Sequence, residues 1–268
     1  MRVWLDGKLL HDPRDPVLSV LDHGFTVGDG VFETLKVVDG RAFALTRHLR
    51  RLGISAAGLG LALPDISAVH AGVEAVLSAE PLARGRLRIT YTGGVSPLAS
   101  DRGDAAPTLV VAAADLPGRQ DTTAVVTVPW TRNERGALAG LKSTSYGENV
   151  VALAAARRAG ASEAIFANTA GDLCEGTGSN VFYVVDGELR TPTLASGCLP
   201  GVTRALVLEW FGAAERDAPL EVLRDAEEVF LVSTTRDVQP VVRCDGRELA
   251  APGPVTARAQ RCWAERER

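Results

Sequence analysis

Of the 29 lysines and arginines in this 268-residue chain, only three are lysines: Lys8, Lys36 and Lys142. A chain that writes its positive charge as arginine does not need lysine for solubility. Each lysine is therefore a candidate for what a guanidinium cannot do, which is to form a Schiff base through a nucleophilic amine. Lys8 sits in DGKLL, a polar turn entering a strand, and reads as a solvated edge residue. Lys36 sits in FETLKVVDG, on an alternating strand that ends in an Asp-Gly turn. Lys142 follows Ala-Gly-Leu and precedes Ser-Thr-Ser, with no carboxylate within five residues on either side. Its neighbours alone leave it as either a surface residue or an amine nucleophile.

Three polar clusters follow Lys142. CEGTGSNVF (Cys174–Phe182) sets a lone Glu175 before a Gly-rich turn into a strand. LPGVTRAL (Leu199–Leu206) opens a helix with Gly201-Val202-Thr203, and VSTTRDV (Val232–Val238) gathers hydroxyls at a strand end. A helix start with free N–H groups, a nearby glycine and threonine hydroxyls makes an anion cradle, so a phosphate site is indicated. Each cluster alone also has a plain structural explanation as a turn, a helix start or a strand end. GTGSN lacks the third glycine and the preceding strand of a dinucleotide fingerprint.

Other chemistries find less support. The histidines His11, His23, His48 and His70 show no HxH or HExxH spacing, so no metal site and no His-based triad is expected. Cys174, Cys198, Cys244 and Cys262 form no CxxC, which points to a reduced, cytoplasmic protein. A formal charge of −4 argues against a nucleic-acid partner. No stretch approaches a membrane span, and the first residues, MRVWLDGKLL, lack the apolar run of a signal peptide.

The elements that must position these residues come from periodicity. MRVWLDGKLL and GVFETLKVVDGRAFAL alternate around Asp-Gly turns and predict two hairpins. Leu49, Leu52, Ile54 and Leu59 predict a helix over 46–60 with Thr46 as N-cap, and 66–79 predicts a second. GRLRITYTGG and PTLVVAAADL read as strands around a polar loop, VSPLASDRGDAA. Leu116–Thr122 (LPGRQDT) is the linker candidate. The second half is expected to run through the strand AVVTVPW and an Ala-rich helix over 148–160 to the strands EAIFAN and NVFYVVDGELRTP. A helix over 201–211, another in EVLRDAEEV and the strand VFLVSTT complete it. The expected fold is α+β in two domains: a smaller one over 1–117 and a larger one over 118–268.

The order of Lys142, Glu175, GVTR and STT resembles that of the fold-type IV pyridoxal phosphate (PLP) enzymes, which include branched-chain and D-amino acid aminotransferases and aminodeoxychorismate lyases. The likeness extends over nearly the whole chain. DHGFTVGDGVFETLKVVDGRAFALTRHLRRL resembles that family's first-domain signature, and LKSTSYGENVVALAAARRAGASEAIF its lysine segment. CEGTGSNVF, LPGVTRAL and FLVSTTRDVQPV complete the set. The resemblance implies a D-amino acid aminotransferase-like fold, a PLP cofactor at the domain interface and a homodimer. It also implies that Lys142 is the Schiff-base lysine and proton shuttle, with Glu175 at the pyridine nitrogen. Arg51, in the pattern H-x-x-R-L, would hold the phosphate with Val202, Thr203 and Thr234.

Within that family the substrate pattern leans one way. D-amino acid transaminases place an arginine and a histidine after the Ser-Pro of the loop, where this chain has Ser96-Pro97-Leu98-Ala99. Branched-chain enzymes carry a tyrosine five residues after the lysine; here that residue is Gly147, and Tyr146 comes one early. They also have Gly after Phe-Glu, whereas Phe32-Glu33 is followed by Thr34, as in the lyases, where the hydroxyl lies near the catalytic lysine. TRNERGALAGLKS is similar to the lyase run ahead of its lysine. The resemblance therefore implies a 4-amino-4-deoxychorismate lyase giving 4-aminobenzoate and pyruvate, with Thr34 aiding proton relay. Arg86, Arg88, Arg132 and Arg135 are candidates for the carboxylates of a small carboxylated amine substrate, Arg88 first, beside Phe32. The alternatives are a class IV aminotransferase acting on a branched-chain or D-amino acid or an amine, and a non-catalytic PLP-binding protein.

Overall fold

A computed structural model describes residues 1–79, 82–118 and 120–267. The chain divides into two compact units, one of 1–117 with 141–146 and one of 118–140 with 147–268. The expected boundaries, 1–117 and 118–268, thus differ from the structure in one segment: the six residues around Lys142 pack with the first unit. Of the expected linker, Arg119 lies outside the described residues.

Unit 1 is an antiparallel sheet in the spatial order Lys8–Leu9, Arg2–Leu5, Thr108–Asp115, Arg84–Thr92, Gly30–Val38 and Arg41–Ala42. The helices Leu45–Gly58 and Ile66–Ala79 supply Leu49, Leu52, Val69, Val73 and Val76 to a core shared with Val31, Leu35, Leu87 and Ile89. Fully burying such a side chain contributes about 1.5–3 kcal/mol. Glycine at residue 72 lets the second helix approach the sheet, since a Cβ there would lie 2.8 Å from both Trp4 and Val111. Strand alternation puts Val31, Glu33 and Leu35 on the helix-covered face, and Phe32, Thr34 and Lys36 on the other. Across that second face the register partners of Phe32, Thr34 and Lys36 are Thr90, Arg88 and Arg86.

The first helix does not start as its sequence suggests. Ala44 is its N-cap, left-handed at φ 54°, and Thr46 lies inside the first turn. The hairpin decides this, because Phe43 N–H donates to Lys36 O at 2.8 Å and places the turn into the helix one residue later.

Unit 2 is built on a mixed sheet in the order Ala214–Glu215, Glu188–Thr191, Asn180–Val185, Glu228–Ser233, Asp237–Cys244, Thr123–Arg132, Glu163–Asn168 and Leu173–Gly176, with Arg247–Glu248 beside Asp237–Cys244. Helices Gly147–Arg158, Val202–Trp210 and Pro254–Arg266 accompany it. EVLRDAEEV, expected as a helix, holds only the turn Val222–Asp225, because Glu228 and Val229 join a strand opposite Val184 and Tyr183. The buried Glu228 carboxylate accepts from the N–H groups of Val255 and Thr256 at 2.9 and 2.7 Å, capping the last helix. No helix among the described residues is long and apolar enough to cross a membrane, and no cluster of metal-binding side chains occurs among them.

Candidate active site

In unit 1 the Lys142 segment is held by an isolated antiparallel bridge between Ser143 and Val31, beside the start of Gly30–Val38. Phe32 N–H donates to Lys142 O at 3.0 Å, and Thr144 N–H to Gly30 O at 2.8 Å. Lys142 N–H donates to Ser55 Oγ at 3.1 Å, tying the segment to the first helix as well. Gly58 permits the approach, since a Cβ there would meet Leu141 at 2.6 Å. The half-buried Lys142 places its Nζ 4.4 Å from the centre of the Phe32 ring. The Arg88 guanidinium carbon lies 3.9 Å from the same ring, and Tyr146 meets the ring edge-on at 5.2 Å. Phe32 thus gathers an amine, a guanidinium and a phenol around one ring. Thr34 faces the same way, opposite Arg88 in the register.

Arg51 and His48, three residues apart on one helix face, reach the other side of that strand and close on Glu33. Arg51 Nε and Nη2 donate to the two Glu33 oxygens at 2.8 and 2.7 Å, and His48 Nδ1 lies 2.6 Å from Glu33 Oε2. Burial alone would raise the Glu33 carboxyl, but the bonds from Arg51 and His48 outweigh it and hold it below its ordinary value. Burial pushes the His48 imidazole down despite the carboxylate beside it. A neutral His48 with its proton on Nδ1, donating to an ionised Glu33, satisfies both.

In unit 2, Glu175 lies on the strand Leu173–Gly176. Its Oε2 accepts from Leu199 N–H at 2.9 Å, and its Oε1 lies 3.2 Å from Arg132 Nε. The helix Val202–Trp210 begins at Gly201 with no side-chain cap, and both Val202 and Thr203 are buried. A Cβ on Gly201 would collide with Asn180 Oδ1, so glycine is required where that helix starts. The half-buried Thr234 lies in the turn after Glu228–Ser233, where Arg236 N–H donates to Ser233 O at 3.1 Å. The buried Glu163 joins that turn to the Gly-rich one: it accepts from Thr177 N–H at 3.0 Å, from Ser179 Oγ at 3.2 Å and from Arg236 Nη2 at 3.0 Å.

These groups fit the chemistry of pyridoxal phosphate. Unit 1 offers an amine on an aromatic shelf. Unit 2 offers a carboxylate in fixed orientation and, as an anion site, a buried helix start whose N–H groups lack a side-chain cap. Lys142, Phe32 and Arg88 meet in unit 1, and Val202 and Thr203 share one helix start in unit 2. Two further arginines named for carboxylates lie in unit 2. Arg132 serves Glu175 and Asn149, while Arg135 is 89% exposed beside Glu134. Glu33, Asn149 and Glu163 escaped the sequence reading. The alternation of GVFETLKVV was a signal that could have found Glu33, a carboxylate in step with Val31 and Leu35.

The signature of the amino-transferase class IV family matches residues 30–244. The chain is 34% identical over 257 residues, 92% of its length and 89% of the relative's, to the protein named "Putative branched-chain-amino-acid aminotransferase" of Methanocaldococcus jannaschii. It is 32% identical over 281 residues, 93% of each chain, to the bifunctional aminodeoxychorismate lyase / D-amino acid transaminase of Mycobacterium tuberculosis. Among solved structures, a hypothetical aminotransferase from Mycobacterium tuberculosis in its PLP-bound form superposes with a TM-score of 0.87 at 29% identity, covering 99% of both chains.

Proposed function

The chain belongs to the class IV amino-transferases, PLP-dependent enzymes, and from that premise we propose that it is a 4-amino-4-deoxychorismate lyase. The observation that carries a carboxylated amine as substrate is the shelf in unit 1, where Arg88 stands 3.9 Å and Lys142 4.4 Å from one Phe32 ring. A guanidinium there can bind a substrate carboxylate while the amine works at the carbon that bears the substrate's amino group. Lys142 anchors the cofactor and carries the proton taken from the substrate's α-carbon. Thr34, on the same face as Arg88, aids that transfer. Arg51, Val202, Thr203 and Thr234 hold the phosphate, and Glu175 pairs with the ring nitrogen. Bound pyridoxal phosphate supplies the electron sink for the charge left on the α-carbon. Release of pyruvate leaves an aromatic product, 4-aminobenzoate, which drives the reaction forward.

A class IV aminotransferase acting on a branched-chain or D-amino acid is the second reading, favoured by the relatives with such names. One assay separates them: the protein is incubated with aminodeoxychorismate and pyruvate is measured. Pyruvate release supports the lyase. Absence of pyruvate, with conversion to the pyridoxamine form by an amino acid, overturns it in favour of the aminotransferase. A non-catalytic binder would give neither result.

We also propose a homodimer. Val20, Phe25 and Leu98 in unit 1 are 72%, 71% and 80% exposed. Backbone bonds from His23 N–H to Gly94 O (2.8 Å) and from Ser96 N–H to Leu21 O (3.2 Å) join their two segments into one apolar patch. A second copy is its expected cover. The four cysteines are free thiols, in keeping with a reducing cytoplasm.

A further inference from the structure

We infer that Arg132 is a positioning residue for Glu175, and through it for the cofactor's ring nitrogen; this rests on the reading of Glu175 given above. Arg132 ends the strand Thr123–Arg132, and its guanidinium carbon stands 4.0 Å from the centre of the Phe166 ring. Phe166 is the register partner of Glu175 on the adjacent strand. The same strand pair therefore carries both the aromatic shelf under the guanidinium and the carboxylate beside it. Arg132 Nη2 donates to Asn149 Oδ1 at 2.5 Å, and Asn149 Nδ2 donates to Thr177 O at 2.8 Å, two residues beyond Glu175. Arg132, Asn149 and the backbone after Glu175 thus close a ring of contacts around the carboxylate.

The charge balance points the same way. Arg132 also pairs with Glu148, whose side chain is 75% exposed and 3.4 Å away, so solvent screens it. Glu175 is only 13% exposed, and there the cation counts for more. Arg132 Nε is buried and has no aligned hydrogen-bond acceptor among the described residues, although Glu175 Oε1 lies 3.2 Å from it. The contact therefore acts through charge and proximity.

The test compares two probes on apo-protein made from the purified holoenzyme: pyridoxal phosphate, and its carbocyclic analogue with C–H in place of the ring nitrogen. Equilibrium affinity for each is read by absorbance, and the preference is their ratio. Glu175→Gln should lower that preference because it removes the charged acceptor. Arg132→Met should lower it about tenfold, the scale of a partly buried charge–charge contact at this separation. Arg132→Lys should restore part of it. Arg132→Met added to Glu175→Gln should change nothing more. Arg132→Gln, which still donates to Asn149, is the second variant if Met disturbs folding, and should lose the preference equally. A wild-type preference in folded Arg132 variants, with Glu175→Gln deficient, overturns the inference. An unchanged preference in Glu175→Gln overturns instead the assignment of Glu175 on which it stands. A purely structural Arg132 would weaken both probes alike.

Discussion

Arg51 meets Glu33 through two parallel hydrogen bonds, 2.8 Å from Nε and 2.7 Å from Nη2, at a place where Glu33 has no solvent exposure. A planar guanidinium matched to both oxygens of a carboxylate has one orientation left to it. Because the residue proposed for the cofactor's phosphate is oriented by a carboxylate in the sheet, unit 1 pre-forms that arginine's geometry before any ligand arrives. His48 completes the arrangement from one turn earlier on the helix.

Removing the charge of Glu33 takes a fully buried counter-ion from Arg51. Glu33→Gln is expected to destabilise the protein by about 3–5 kcal/mol, as for other broken buried pairs. Urea unfolding of the apo-protein measures it. A loss below about 1 kcal/mol, the range of an exposed pair, would show that the pair is not desolvated.

The same group of residues makes stability fall in acid. His48 and Glu33 both titrate lower in the folded chain than their ordinary values of 6.5 and 4.5. The unfolded chain therefore binds more protons between each folded value and the ordinary one. Each contribution is complete above the ordinary value and is lost as pH drops through the folded one. The His48 share fades first below 6.5 and the Glu33 share below 4.5. In His48→Gln the decline should begin only in the carboxylate range, as seen in melting temperature against pH. A profile that still bends near 6.5 would assign that loss to another group.

Arg88→Met keeps an unbranched stem on Phe32 and deletes the guanidinium. If Arg88 holds a substrate carboxylate, KM for aminodeoxychorismate should rise about tenfold or more, while the absorbance of the bound cofactor stays unchanged. A change in kcat alone would argue that Arg88 tunes Lys142 instead.

Phe25 is 71% exposed in the apolar patch of unit 1. Phe25→Asp should convert a dimer to a monomer at micromolar concentration by sedimentation. A wild-type chain that is itself monomeric would sink the dimer proposal outright.

Composition and local order were enough to pick out Lys142 and to resemble a family in which Glu175 and the Gly201 helix start have roles. Rare residue types and short motifs are properties of the chain itself. The helix Ile66–Ala79 and the alternating strand Gly30–Val38 were legible for a related reason, since their periods are set by neighbouring residues. Ala44 as the helix start and the single turn in EVLRDAEEV were not, because a hairpin and a strand pairing override local preference there. Only the tertiary structure returns residues 141–146 to unit 1, puts Arg88 and Lys142 on one ring and turns Arg132 to Glu175. Those pairings join residues far apart in sequence, and burial and sheet register, which no local pattern encodes, decide which charges meet.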